Sequence, residues 1–371
     1  MGEGLTIHQR RLQSSVENAL FKGRTVIIYG AHQTGKTTLV RSIAEKYDRH
    51  LYLDCHQPEA CRSLSNRSTE ELGTLVSGIN LLIIDEGQCV PNIGVTLKQL
   101  FDEFPRLQVI ATGSMMLFDL ANDRNLMLVT GKTRFYLSPL AVSELNEKEW
   151  SLEKALVYGM YPAVVDSPDP ETLLQGMATR SLYADIFEHE IIRGGDNLLR
   201  LLQILALRLG SELSYNEIGE QAGLDKVTVG RYVKLLEQVQ IVFRLTPYKR
   251  RLRQELNRLR KVYFFDLGVR NSLIHNFNPL SLRMDADALW ENYFISERMK
   301  RNRLEQRFST GFYWRTYEGA GLDYLEEDGG HIEAFECRLT GKKWSGPVSF
   351  LRTYPNSTLH QVTPENYRQF L

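Results

Sequence analysis

The sequence predicts an α/β protein: a parallel sheet around a phosphate-binding loop, then a largely helical segment with a strand pair, then a small α+β region. Three observations carry this reading. Strands and helices alternate through the first third of the chain, the pattern of a parallel sheet covered on both faces. Gly30-Ala31-His32-Gln33-Thr34-Gly35-Lys36-Thr37 stands between the apolar run Thr25–Tyr29 and a helical pattern, Leu39, Val40, Ile43 and Ala44. Beyond Gly268 the pattern changes to one long helix followed by successive strands.

Residues 8–21 have helical spacing (Leu12, Val16, Leu20) and lead into the first strand. In the loop that follows, Gly30 and Gly35 allow the backbone to turn so that successive N–H groups face a phosphate. A helix beginning near Lys36 adds the positive end of its dipole. Gly30, Ala31, His32, Gln33, Thr34, Gly35, Lys36, Thr37 and Thr38 are therefore the expected nucleotide-binding set. Lys36 would reach the β- and γ-phosphates of ATP, and the Thr37 hydroxyl would hold Mg²⁺. Only the backbone of His32 and Gln33 is required.

His50–Asp54 reads as a second strand, and Leu81-Leu82-Ile83-Ile84-Asp85-Glu86 as a buried third. Its two carboxylates lie at the strand's C-terminal end, where α/β sheets bind ligands. Asp85 would support Mg²⁺, and Glu86 would take a proton from attacking water. A further strand, Leu107–Ala111, ends in Thr112-Gly113-Ser114. A hydroxyl here, Thr112 or Ser114, can sense the γ-phosphate, or it can cap the next helix.

These residues together resemble the AAA+ ATPases. Gly131-Lys132, Phe135-Tyr136-Leu137-Ser138-Pro139-Leu140 and Ser143-Glu144-Leu145 narrow the resemblance to a prokaryotic subgroup in which an AAA+ module is fused to a C-terminal restriction-endonuclease-like domain. Where that subgroup has Gly-Arg this chain has Gly131-Lys132, so the arginine finger is replaced by lysine, with Arg134 nearby. Tyr158-Gly159-Met160-Tyr161-Pro162 is similar to the subgroup's Gly-Gly-Tyr-Pro segment, with Met160 offset. The resemblance implies ring or dimer assembly into a homo-oligomer.

Leu182 to Arg193 reads as an acidic amphipathic helix presenting a solvated face (Asp185, Glu188, Glu190). Residues 199–245 then carry three helical patterns, Leu199–Leu209, Tyr215–Ala222 and Val227–Val239, with Asp225 as an N-cap. Strands at Ile241–Leu245 and Val262–Phe265 make this a winged helix-turn-helix. The resemblance supports it, since Lys261–Gly268 matches the subgroup's wing-closing motif. From Lys226 to Lys261 there are eleven Lys or Arg against two acids. Lys226, Arg231 and Lys234 on the third helix, with Lys249, Arg250, Arg251 and Arg253 in a basic wing, could contact DNA phosphates without reading sequence. A structural lid is the alternative.

The last hundred residues place Glu291 on a helix, Ala286–Lys300, and Asp323 and Glu336 on successive strands, with Arg338 two residues on. An acid followed by acid-x-base on the next strand is the pattern of a Mg²⁺-dependent nuclease, similar to PD-(D/E)xK domains. Arg338 stands where lysine is expected, and arginine cannot act as a general base. The region is therefore read as a non-cleaving recognition or scaffold domain.

The expected organisation is 1–147 AAA+ core, 148–198 helical connector, 199–268 winged helix and 269–371 restriction-endonuclease-like domain. The chain is 43% hydrophobic and 24% charged with zero net charge, so no global charge points to nucleic acid or a membrane surface. Four cysteines without framework spacing, and no long apolar window, point to a cytoplasmic protein. The expected activity is hydrolysis of ATP, with an unknown protein partner or DNA downstream. The alternatives are an ATP-gated switch without turnover and an ATP-licensed nuclease.

Overall fold

A computed structural model describes residues 8–114, 131–146, 148–177, 195–248, 259–307, 309–316, 318–341 and 344–371. The chain divides into two units, the first of residues 1–140 with 161–166, the second of 141–160 with 167–371.

The first unit holds a five-stranded sheet in which every pairing is parallel: β1 (Thr25–Tyr29), β2 (His50–Asp54), β3 (Leu81–Asp85), β4 (Gln108–Gly113) and β5 (Lys132–Tyr136), in the order β2-β3-β4-β1-β5. β1, β3 and β4 are buried along their whole length, which explains why they read as unbroken apolar runs. The edge strand β2 is partly exposed and alternates polar residues at its ends. Ile27, Leu82, Ile84, Val109 and Ala111 form the floor on which Leu64, Leu72, Leu97 and Leu100 of the surrounding helices pack. This is a parallel-sheet fold of the P-loop NTPase kind.

Two differences from the sequence reading bear on the site. The first helix runs only from Leu12 to Ala19, so His8–Arg10 lie outside it, and the side chains of His8 and Arg10 are used elsewhere. β4 continues through Gly113, which brings Thr112 into the ladder opposite Ile28. Because β4 lies between β1 and β3, its tip separates the glycine loop from the two carboxylates.

The second unit carries helices Gly195–Leu207, Tyr215–Ala222 and Lys226–Gln238, and a seven-stranded sheet. Its strands are β6 (Glu212–Leu213), β7 (Val242–Pro247), β8 (Arg260–Phe264), β9 (Gly311–Arg315), β10 (Gly321–Asp328), β11 (His331–Cys337) and β12 (Ser357–Val362). The order is β12-β11-β10-β9-β7-β8-β6. The join expected after residue 268 therefore falls inside one continuous sheet, made by the parallel pairing of β7 with β9. Asp225 caps its helix by accepting from the N–H groups of Val227 and Thr228.

The segments Tyr158–Met160 and Lys261–Gly268, far apart in sequence, meet in this unit. The buried Asp266 carboxylate accepts from the Met160 N–H at 2.6 Å and the Val269 N–H at 3.2 Å. A Cβ on Gly159 would lie 2.1 Å from that carboxylate, and one on Gly268 would lie 2.1 Å from the Tyr158 carbonyl. Both glycines are required by close approach. No helix among the described residues is long and apolar enough to cross a membrane. The expected acidic helix Leu182–Arg193 lies outside the described residues.

Candidate functional site

The loop between β1 and the helix Lys36–Ala44 is held from two sides. A Cβ on Gly30 would sit 2.3 Å from the Leu137 carbonyl oxygen, so the close approach of β5's continuation demands glycine. Gly35 at the helix start has φ +93°, and Gln33 also adopts the left-handed region at φ +62°. The left-handed turn at Gln33 is a feature that the sequence did not disclose. The buried Thr34 hydroxyl donates to the Ala31 carbonyl at 2.9 Å. Arg10, buried and unforeseen in the sequence, donates to the Thr34 carbonyl at 2.6 Å and the Ser138 carbonyl at 2.7 Å. A lone arginine before a first helix carries no motif, so nothing in the sequence could have singled it out.

A cavity of about 310 Å³ opens at this loop, lined by Gln33, Gly35, Lys36, Thr37, Thr38 and Glu86. Its far wall is His8, Pro162, Ala163 and Asp166, with Arg10 completing it. His8 Nε2 donates to Asp166 Oδ1 at 2.9 Å. Lys36 Nζ, almost fully buried, donates to the Gly30 and Ala31 carbonyls at 3.2 Å each and pairs with Glu86 Oε1 at 3.5 Å. Gly30, Ala31, His32 and Thr34 shape the loop without lining the cavity.

At the end of β3 every carboxylate oxygen has a defined environment. Asp85 accepts from the Thr112 hydroxyl at Oδ1 and from the Tyr52 hydroxyl at Oδ2, the latter at 2.6 Å. Burial and this carboxylate push the Tyr52 hydroxyl well above its ordinary pKa, so it stays a donor. Glu86 has φ +52°, and its N–H donates to Thr112 Oγ1 at 3.0 Å. Thr112 is thereby engaged with both acids. Ser114 is different: its hydroxyl is buried and has no hydrogen-bond partner among the described residues. Gly131 packs against Phe101, whose ring would meet a Cβ at 2.4 Å, and Arg134 is exposed beside the Tyr29 ring.

The second acidic set is brought together in the second unit, with a lysine that the sequence reading did not place there. Lys261 Nζ on β8 lies 2.8 Å from Glu291 and 3.6 Å from Asp323. Tyr263 donates to the same Glu291 oxygen, and the Cys337 N–H donates to Asp323 Oδ2 at 2.9 Å. Arg338, half exposed, turns to Glu336 at 2.9 Å. Burial and the Asp323 charge push the Glu291 and Glu336 carboxyls up to about 7. Burial likewise pushes the Cys337 thiol well up, leaving it inert. Sequence could have signalled Lys261 only by β8 lying within reach of β10, which is a tertiary fact. Among the described residues no group of three or more His, Cys, Asp or Glu is arranged to hold a metal ion.

Lys226, Arg231 and Lys234 are exposed on the helix Lys226–Gln238. Lys249, Arg250, Arg251 and Arg253 lie outside the described residues.

Comparison with known proteins agrees with the geometry of the first unit. Residues 22–146 match the AAA domain family. The first unit is thus similar to AAA-type P-loop domains. Residues 149–280 match a domain family of unknown function. Similar chains include an uncharacterized protein of Mycobacterium tuberculosis, 24% identical over 348 residues, covering 91% of this chain and 75% of that one. An uncharacterized protein of Methanocaldococcus jannaschii is 23% identical over 319 residues, covering 72% of this chain and 66% of that one. Among solved structures, the Walker-type ATPase of Pyrococcus abyssi superposes with a TM-score of 0.47 at 15% identity, over 72% of this chain and 96% of that one.

Proposed function

We propose that this chain binds ATP and hydrolyses it to ADP and phosphate with Mg²⁺. The observation that carries the reading is the convergence of Lys36, Thr37 and Glu86 on one cavity at a glycine loop and helix start. The donor set fits the metal: the Thr37 hydroxyl lines the cavity, and Asp85, oriented by Tyr52 and Thr112, stands behind it to hold Mg²⁺ through water. When bound, Mg²⁺ supplies charge neutralisation across the β- and γ-phosphates.

The protein's own groups do the rest. Loop N–H groups from Gln33 to Thr38 and the helix dipole hold the phosphates. Lys36 exchanges loop carbonyls and Glu86 for phosphate oxygens, which frees Glu86 Oε1 to orient water and accept its proton. Of the two sensor candidates, Ser114 is favoured over Thr112, because its buried hydroxyl is unpartnered while Thr112 serves Asp85 and the Glu86 backbone.

In the second unit the helices Tyr215–Ala222 and Lys226–Gln238, followed by the β7–β8 hairpin, support a winged helix that contacts DNA phosphates through Lys226, Arg231 and Lys234. The region from 269 onward is read as a restriction-endonuclease-like scaffold that does not cleave, because Lys261 and Arg338 already pair with its carboxylates. Assembly into a homo-oligomer would let a neighbouring copy supply the missing arginine.

ATP turnover measured over a hundredfold dilution, with and without duplex DNA, beside Lys36→Ala, tests the reading. Turnover that DNA stimulates and dilution abolishes is expected. ATP binding without turnover under every condition would replace the ATPase with a switch.

A further inference from the structure

We propose that Gln88 is the positioning residue for Glu86, tying its carboxylate to the tip of β4; this rests on the ATPase reading above. Gln88 lies on the short turn Gly87–Cys89, belongs to none of the motifs and does not line the cavity. Its amide makes two bonds at once. Nε2 donates to Glu86 Oε2, and Oε1 accepts from the Ser114 N–H at 3.3 Å. Both ends of the amide are needed, one as donor and one as acceptor. Neither a carboxylate nor an ammonium of the same length can do both.

The rest of the turn makes this bridge consequential. The Glu86 backbone is held in the left-handed region by its N–H bond to Thr112. Its side chain would otherwise be free to rotate at the cavity edge. Gln88 fixes Oε2, and the remaining oxygen, Oε1, is the one turned toward Lys36 at 3.5 Å. When phosphate takes Lys36, Oε1 is released while Oε2 stays held, so the carboxylate keeps its aim. The second anchor is Ser114, whose own hydroxyl is buried without a partner among the described residues. A phosphate oxygen or the attacking water supplies the partner that Ser114 lacks. Any shift of Ser114 on meeting it passes through its N–H to Gln88, and from Gln88 to Glu86. The state of the strand tip is thus read by the carboxylate through one neutral side chain.

The test is a double-mutant cycle on the full chain, with ATP as substrate. Gln88→Met keeps the side-chain length and removes the bridge. Its turnover should fall about 10- to 100-fold, as for a misplaced catalytic group. Its affinity for a fluorescent ATP analogue should stay within about twofold, because Gln88 does not line the cavity. In a Glu86→Gln background the same change should cost nothing further, whereas a merely structural loss would add. Gln88→Glu, which is isosteric, should show the same loss should the methionine variant fold poorly. Gln88→Met within twofold of wild-type turnover, or losses that add with Glu86→Gln, would overturn the assignment and leave the ATPase reading standing. Wild-type protein that binds ATP but never turns it over would overturn both.

Discussion

Two sets of carboxylates in this chain look alike in sequence and differ in physical setting. At the end of β3, Asp85 and Glu86 are held by neutral donors, the hydroxyls of Tyr52 and Thr112 and the amide of Gln88. The nearby cation, Lys36, is 3.5 Å away and shared with two loop carbonyls beside an open cavity. In the second unit, Glu291 and Asp323 close on Lys261, and Glu336 on Arg338. Neutral donors orient a carboxylate and leave its charge for a metal or a proton. A lysine 2.8 Å away answers that charge within the fold. The difference between a site and a buried ion cluster lies in the partner, and acid spacing alone does not reveal it.

The largest effect that separates the two should come from their lysines. Lys36→Ala should abolish turnover and weaken ATP binding by more than about 100-fold, since it removes a charge-assisted contact to phosphate. Lys261→Met should leave ATP affinity within about twofold in the same titration. Equal losses from both would mean that the second cluster also serves the nucleotide. Next, Glu86→Gln should cut turnover roughly 10²- to 10⁴-fold while ATP affinity holds, the range of a lost general base. Glu291→Gln should leave turnover unchanged. If Glu86→Gln changed nothing measurable, the first site would be a switch.

Lys261→Met should instead act on stability. It leaves Glu291 and Asp323 without their cation, and breaking such a pair costs about 3–5 kcal/mol. Denaturant unfolding of the second unit would read this loss. A shift below about 1 kcal/mol would show that the ion pairs are incidental to the fold.

The glycine loop between strand and helix was the most legible part of the sequence, because its geometry is carried by backbone and by residues close together in the chain. β1 and β3 lie where their apolar runs predict, since burial on both faces leaves no alternation to misread, and the partly exposed edge strand β2 also keeps its expected span. Roles assigned by tertiary neighbours were not legible. Thr112 and Ser114 were equivalent in sequence until β4 proved to extend through Gly113, which turned Thr112 to the two acids. Arg10 carries no motif and Lys261 stood only in the wing-closing run, and both act on partners 24 or more residues away. Gly159 and Gly268 looked like separate motif glycines, yet each is required by the other's segment through Asp266 and Tyr158.

The smallest effect is the one that pH should expose, and its sign follows from the direction of the shifts. Glu291 and Glu336 titrate at about 7 in the fold against an ordinary 4.5, because burial and the Asp323 charge disfavour their ionised forms. Between these values the folded protein keeps protons that the unfolded chain has already released. Stability is therefore highest below about pH 4.5 as far as this cluster is concerned, falls as pH rises toward 7, and is level above it. Both carboxyls respond to the same Asp323 charge as well as to burial, so their contributions over that window do not simply add. Unfolding midpoints of wild type and Glu291→Gln from pH 5 to 8 provide the check. The variant lacks one of the two titrating groups, so its midpoint should fall less steeply. A wild-type midpoint that does not fall across this range would mean that Lys261 beside Glu291 and Arg338 beside Glu336 keep both carboxylates ionised in the fold.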